Sequence, residues 1–141
     1  MDRDGTINYD KGYTYKISDL KLYEDAIELI KKYKKEGYLI IITTNQSGIS
    51  RGFFTLEDFI KFNKALKKEL KKNGAVIDAV YYCPHKPKDN CNCRKPKTGL
   101  IEKAVEDFDI DLKNSIVVGD RDDVDGEMAR RLKIKYIILR R

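Results

Sequence analysis

Short apolar runs and amphipathic stretches alternate along this 141-residue sequence, and that order constrains the fold more than any single motif. Tyr38 to Thr43 (YLIIIT) is a near-continuous apolar run, as a parallel strand buried on both faces requires. Asp78 to Tyr82 (DAVYY), Ser115 to Gly119 (SIVVG) and Ile134 to Leu139 read as three further strands. Helical patterns lie between them. Glu24 to Glu36 sets Ala26, Ile27, Leu29, Ile30 and Tyr33 on one face and ends at Gly37. Thr55 opens a second helix, with Asp58 three residues on as a variant of the capping box, and Gly74 closes it. Its apolar stripe is expected to be Leu56, Phe59, Ile60, Leu66 and Leu70. Leu100, Ile101, Ala104, Val105 and Phe108 mark a third helix, and Val124 to Leu132 a short fourth. This alternation predicts an α/β fold with a doubly wound parallel sheet. No repeat or low-complexity tract divides the chain, so residues 1–141 are expected to form one domain.

Composition narrows the class of protein. Charged residues make up 37% and apolar ones 41%, enough for a buried core. The 29 Lys and Arg exceed the 23 Asp and Glu, for a net charge of +6. Such a surplus attracts phosphate esters or nucleic acid, but a solvated Lys-rich surface accounts for it equally well. Three Cys in a chain without an apolar leader argue against a secreted disulfide scaffold. No run approaches the roughly 18 apolar residues of a membrane span. The expectation is a cytoplasmic, soluble monomer with no membrane partner.

Ligands of parallel sheets sit beyond the carboxyl ends of the strands, and polar motifs occupy those places here. YLIIIT leads into Thr44-Asn45-Gln46-Ser47-Gly48, SIVVG leads into Asp120-Arg121-Asp122-Asp123-Val124-Asp125, and the chain opens with Asp2-Arg3-Asp4-Gly5-Thr6. In an extended chain Asp2 and Asp4 point the same way, and a turn after Asp2 would let them diverge around a substrate. With Asp120 they offer a hard, all-oxygen site suited to Mg²⁺. A hydroxyl at Thr44 and an ammonium at Lys95 suit phosphate oxygens. Taken alone, the opening motif is as consistent with a polar turn.

Every Cys and the single His fall between positions 83 and 93, as Cys83-Pro84-His85 and Cys91-Asn92-Cys93. This spacing reads as a tetrahedral Zn²⁺ site of the Cys₃His type. All four positions are filled by protein, which favours a structural metal over a catalytic one. The zinc loop would aim Arg94 and Lys95, which follow the last Cys directly, toward the phosphate pocket.

Together these motifs resemble the haloacid dehalogenase (HAD) phosphohydrolase superfamily. DRDGT matches its first motif, TTNQSG its second, RKP with Lys95 its third and VVGDRDDVD its fourth, in the family order. The resemblance implies a Rossmann-like three-layer sandwich. It implies Asp2 as nucleophile, Asp4 as general acid and base, and Thr44, Asn45 and Lys95 on the phosphoryl group. Asp2, the Asp4 carbonyl and Asp120 would hold Mg²⁺, and Asp122, Asp123 and Asp125 are candidates to support that site. CPH…CNCRKPKTG, with TNQSGISRGFFT and DKGY, resembles the D-glycero-D-manno-heptose 1,7-bisphosphate 7-phosphatase branch. Histidinol-phosphate phosphatases share the zinc loop. In the first branch Asp10, Lys11, Gly12 and Tyr13 would line the substrate entrance, and Thr44 to Ser47, Gln46 included, would contact phosphate and sugar. Arg51, Arg94 and Arg121 would clamp a second phosphate or the sugar hydroxyls. The gaps after the first motif and between Gly74 and Cys83 leave no room for a large cap domain.

The implied function is a Mg²⁺-dependent phosphomonoesterase acting on a sugar bisphosphate through an aspartyl-phosphate. The alternatives are a histidinol-phosphate phosphatase, a polynucleotide 3′-phosphatase (for which nucleic acid would be the partner), and a catalytically silent, zinc-stabilised binding module. One departure stands out. The family carries several apolar residues ahead of the nucleophile, in a central strand, and here only Met1 precedes Asp2. The sheet is therefore expected to lack a strand between the Tyr38 and Ser115 runs, and Met1 is expected to be an internal residue of a longer natural chain.

Overall fold

The structure, a computed structural model, describes residues 1–141. Four parallel strands form, β1 (Ile41–Asn45), β2 (Ala79–Cys83), β3 (Ile116–Gly119) and β4 (Lys135–Ile138). They pair in two sets, β1 with β2 from Ile41↔Ala79 to Asn45↔Cys83, and β3 with β4 from Ile116↔Lys135 to Gly119↔Ile138. The expected parallel architecture is present, but as two separate pairs rather than one sheet. Met1 and Asp2 lie between them. The Met1 nitrogen donates to Ile41 O (2.7 Å), Thr43 N donates to Met1 O (2.9 Å), and Asp2 N donates to Val118 O (2.8 Å). The order across the molecule is thus β2, β1, Met1–Asp2, β3, β4, and the two-residue segment stands where the missing central strand is expected.

Four α-helices accompany the strands, α1 (Glu24–Lys35), α2 (Leu56–Lys72), α3 (Gly99–Phe108) and α4 (Glu127–Arg131). The capping box at Thr55 forms, with Asp58 N donating to Thr55 Oγ1 and Thr55 N donating to Asp58 Oδ2. The stripe of α2 differs from the expectation. Leu56 and Ile60 are exposed, and the buried face is Phe59, Phe62, Asn63, Leu66 and Leu70. The shift follows from the i, i+3, i+4, i+7 geometry, which aligns Phe62 and Asn63 with Phe59, Leu66 and Leu70 and turns Ile60 away. The expected helix from Val124 to Leu132 is likewise divided into a π turn over Asp122–Gly126 and the short α4. That turn carries Asp125 inward while Asp122 and Asp123 stay in solvent.

Two apolar cores result. Ile27 and Ile30 of α1, Leu66 and Leu70 of α2, and Ile40 and Ile42 bury one another together with Ile7 and Ala75. Val117, Met128, Ala129 and Ile134 form the second, with Ile101 of α3 and Leu112 packed against it. Between the cores, below Met1, runs an apolar cleft of about 340 Å³ whose walls include Leu39, Ile41, Ile101, Phe108, Ile116 and Val118. No helix is long and apolar enough to cross a membrane.

Candidate active site

The site grows from the turn that follows Asp2. The Arg3 carbonyl accepts from Thr6, Ile7 and Asn8 N–H groups, which reverses the chain within one residue of Asp4. Gly5 makes this possible twice over. Its φ of +81° is a conformation few other residues adopt, and a Cβ there would lie 2.5 Å from Asp120 Oδ2. The two aspartates diverge as expected. Asp2 faces β3 and Lys95, and Asp4 faces Arg3, Asn8 and Gln46.

Lys95 is 3% exposed and holds the centre of the site. Its Nζ donates to Asp2 Oδ1 (2.9 Å), Asp125 Oδ1 (2.8 Å) and the Thr43 carbonyl (2.7 Å). Burial works against the charge on each of these groups, and the pairing answers it. The two carboxylates raise the Lys95 pKa, and the ammonium holds Asp2 below the usual carboxylate range. Asp125 stays above that range, because burial outweighs Lys95. An ionised Asp2 against a charged Lys95 is the state a carboxylate nucleophile requires.

Asp120, at the end of β3, completes the cluster. Thr6 Oγ1 bridges Asp2 Oδ2 and Asp120 Oδ1, at 3.1 Å from each. Burial and the neighbouring Asp2 push the Asp120 carboxyl up to about 6. Carboxylate oxygens of Asp2, Asp120 and Asp125 all lie within 4.8 Å of one another. Such a crowd of hard oxygens, with one ammonium among them, fits a divalent cation such as Mg²⁺. Lys95 takes one oxygen from each of Asp2 and Asp125, while Asp2 Oδ2 and Asp120 Oδ1 stand side by side across Thr6, where they would hold the cation. Asp122 and Asp123 pair instead with Arg130 and Arg121 in solvent.

The loop after β1 brings Thr44, Asn45, Gln46 and Ser47 beside this cluster. Gln46 Nε2 donates to Asp4 Oδ2 and to Thr44 Oγ1, both at 2.9 Å. Asn45 accepts from Lys95 N (2.9 Å) and donates to Lys95 O (3.1 Å). Its side chain clamps the lysine backbone rather than standing open to a ligand. Arg51 donates to Ser47 Oγ, Arg94 to the His85 carbonyl, and Arg121 to the Asp123 carboxylate. Of these three cations Arg121 is thus already neutralised. At the entrance, Asp10 caps its own turn through Gly12 N and Thr14 Oγ1, Lys11 pairs with Asp19, and Tyr13 meets Phe53 edge-on.

The Cys83, His85, Cys91 and Cys93 donors converge as their spacing suggests. Cys83 Sγ lies 3.6 Å from His85 Nδ1, 3.5 Å from Cys91 Sγ and 2.8 Å from Cys93 Sγ, and His85 Nδ1 lies 3.4 Å from Cys93 Sγ. The three longer separations approach the roughly 3.5–3.8 Å edges of a tetrahedron about one Zn²⁺ ion, and the Cys83–Cys93 pair is packed closer. Burial raises the Cys83 thiol; at Cys91 burial is outweighed by hydrogen bonds from the Arg94 and Cys93 backbone and from Cys83, which lower it to about 6. Ser50 Oγ donates to the Pro84 carbonyl, so the cluster's loop and the loop after β1 brace each other.

Several residues at the site escape linear reading. Arg3, Thr6 and Asn8 contact the two aspartates, and Asn63 of α2 reaches Arg3. Asn63 did leave a signal, as a polar residue on an otherwise apolar stripe.

Comparison with known proteins places the chain in a family. Residues 1–135 match the family model described as polynucleotide kinase 3 phosphatase. A probable D-glycero-D-manno-heptose-1,7-bisphosphate 7-phosphatase of Thermoplasma volcanium is 54% identical over 99% of this chain and 96% of its own length. The D-glycero-beta-D-manno-heptose-1,7-bisphosphate 7-phosphatase of Haemophilus influenzae is 35% identical over 98% of this chain and 79% of its own. Among solved structures, D,D-heptose 1,7-bisphosphate phosphatase from B. bronchiseptica, complexed with magnesium and phosphate, superimposes with a TM-score of 0.88 at 29% identity, covering 97% of this chain and 76% of that one. The chain belongs to the heptose-1,7-bisphosphate 7-phosphatase family of HAD phosphatases.

Proposed function

We propose that this protein hydrolyses D-glycero-D-manno-heptose 1,7-bisphosphate at the 7-phosphate, through an aspartyl-phosphate on Asp2. The observation that carries the reading is Asp2 itself. It is a carboxylate only 12% exposed and kept ionised by Lys95, two residues from a second aspartate and beside Asp120. Asp2 attacks phosphorus, and Asp4 gives its proton to the departing sugar oxygen. Asp4 then takes a proton from the water that releases inorganic phosphate. Burial holds the Asp4 carboxyl above the usual range despite Arg3, which suits a group that must carry a proton. Thr44 and Lys95 hold oxygens of the transferring group, and Gln46, Ser47 and Asn45 shape the wall beside them. Arg51 and Arg94, with Asp10, Lys11, Gly12 and Tyr13 at the entrance, face the remainder of the substrate, including its second phosphate.

Asp2, Asp120 and the Asp4 carbonyl would hold Mg²⁺, and Cys83, His85, Cys91 and Cys93 would hold Zn²⁺. Bound magnesium neutralises the carboxylates against an incoming phosphate dianion and polarises a phosphoryl oxygen. Zinc would have a structural role, fixing the loop that ends in Arg94 and Lys95. A monomer in the reducing cytoplasm suits three thiols committed to a metal.

The family model keeps a second reading in play, a 3′-phosphatase acting on nucleic acid ends. A phosphate-release screen with Mg²⁺ over heptose bisphosphates, histidinol phosphate and 3′-phosphorylated oligonucleotides decides. The heptose bisphosphate should have the highest kcat/KM, and Asp2→Asn should be inactive. Preference for an oligonucleotide would replace the sugar reading, and a folded wild type inactive on every ester would leave a binding module.

A further inference from the structure

Arg3 stands between the two aspartates, and none of the roles above uses it. It is 1% exposed and is the largest side chain buried to that degree. Its Nε and Nη2 donate to the two carboxylate oxygens of Asp4 at 2.8 and 3.0 Å, and Nη2 also reaches the Thr14 carbonyl at 3.1 Å. Nη1 donates to Asn63 Oδ1 at 2.9 Å, and the guanidinium lies over the rings of Phe62 (4.5 Å) and Phe59 (5.4 Å). The cation is therefore fixed on α2 and tied to the entrance loop, with Asp4 as its only carboxylate. A buried ion pair is seldom more stabilising than apolar residues of similar volume. Stability alone does not explain a guanidinium in this place.

Asp4 accepts four hydrogen bonds, two from Arg3, one from Asn8 Nδ2 (3.1 Å) and one from Gln46 Nε2 (2.9 Å). Oδ2 takes Arg3 Nη2 and Gln46 together. Gln46 has an alternative partner in Thr44 Oγ1, whereas Arg3 is held from three sides. Arg3 is thus the more firmly anchored of the two donors on Oδ2.

We propose that Arg3 is the positioning residue of Asp4, its guanidinium anchored on α2 so that the carboxyl keeps one orientation through both proton transfers. The inference rests on the acid and base roles given to Asp4 above. In the first transfer Asp4 gives its proton to the ester oxygen as the Asp2 oxygen bonds to phosphorus and the phosphorus–ester bond breaks. In the second, Asp4 takes a proton from water as the water oxygen bonds to phosphorus and the bond to Asp2 breaks. Alcohol and inorganic phosphate leave, and both aspartates return to their starting state.

The test compares wild type, Arg3→Met and Arg3→Lys on the sugar bisphosphate and on p-nitrophenyl phosphate, whose leaving group needs no proton. For Arg3→Met, kcat on the sugar ester should fall about 100-fold with KM little changed. On the aryl ester it should show a burst of about one nitrophenolate per enzyme, with phosphorylated protein visible by intact mass after acid quench. Arg3→Lys should recover part of the rate. Should Arg3→Met fail to fold by its melting curve, Asn63→Leu, which frees the guanidinium from α2, should show the same burst at smaller amplitude. Equal losses on both esters without a burst, tracking the melting temperature, would mean a structural role and overturn the inference, as would an unchanged kcat in a folded variant. A wild type inactive on both esters sinks the phosphatase reading itself, a result distinct from either.

Discussion

Lys95 is one ammonium shared by Asp2 and Asp125, and its loss would leave two buried carboxylates without a partner. Lys95→Met should therefore cost about 3–5 kcal/mol of stability, read as a lower melting temperature. It should also remove activity by about 10²–10³-fold, because the same ammonium holds Asp2, the nucleophile proposed above, in its ionised state. Asp120 supplies a pH dependence of opposite origin. Its folded-state pKa of about 6 stands above the ordinary 3.8. A carboxyl raised on folding favours the native state below pH 3.8, and that contribution is lost as pH climbs through about 6. Metal-free protein should thus lose melting temperature between about pH 4 and 6.5, and Asp120→Asn should flatten that slope. Mg²⁺ needs the ionised carboxylate, so the thermal shift it produces should grow over about pH 5 to 7. A shift independent of pH would show that Asp120 is not a ligand.

At the scale of elements, the loop from Cys83 to Cys93 joins stability to chemistry, because Lys95 begins two residues after the last thiol. Cys93→Ser, or treatment with a tight chelator, should lower both the melting temperature and kcat, and Mg²⁺ alone should restore neither. If the melting temperature holds and elemental analysis finds no zinc, the metal reading fails. The convergence of Cys83, His85, Cys91 and Cys93 was legible from sequence because these four candidate ligands are close in the chain. So were β1 and β3, whose buried Ile42, Val117 and Val118 lie in continuous apolar runs, although β1 begins at Ile41 rather than Tyr38, and so was the Thr55 cap. Other features depend on tertiary partners. Asn45 reads as a phosphate ligand in its motif, yet the fold spends it on the Lys95 backbone. Ile60 is apolar but lies off the face that α1 and β1 cover, and Asp125 became separable from Asp122 and Asp123 only once the π turn bent it toward Lys95.

For the whole molecule, the two sheet pairs are joined at Asp2, the nucleophile proposed above, by three backbone hydrogen bonds of Met1 and Asp2. Backbone groups alternate along β1 and the residue before it: the Ile40 carbonyl accepts from Asp78 N on the β2 side, whereas the Ile41 carbonyl and Thr43 N face Met1. Val118, which accepts from Asp2, and Ile116 two residues before it are the β3 counterparts. The cleft below Met1 thus has open strand edges on both sides and apolar side chains along its walls. An extended apolar segment of about five residues fused ahead of Met1 should pair with both edges. Burying three or four side chains at about 1.5–3 kcal/mol each, against about 1.5 kcal/mol of ordering per residue, leaves at most a few kcal/mol. That corresponds to a rise in melting temperature of about 5–10 °C. Activity should rise with it, because Asp2 would end a strand held on both sides. A Gly-Ser extension of the same length should do neither, and amides of Ile41 and Val118 should gain hydrogen-exchange protection only with the apolar one. If both extensions leave melting temperature and kcat where they are, the cleft is not a strand slot and the two pairs are stable as separate units.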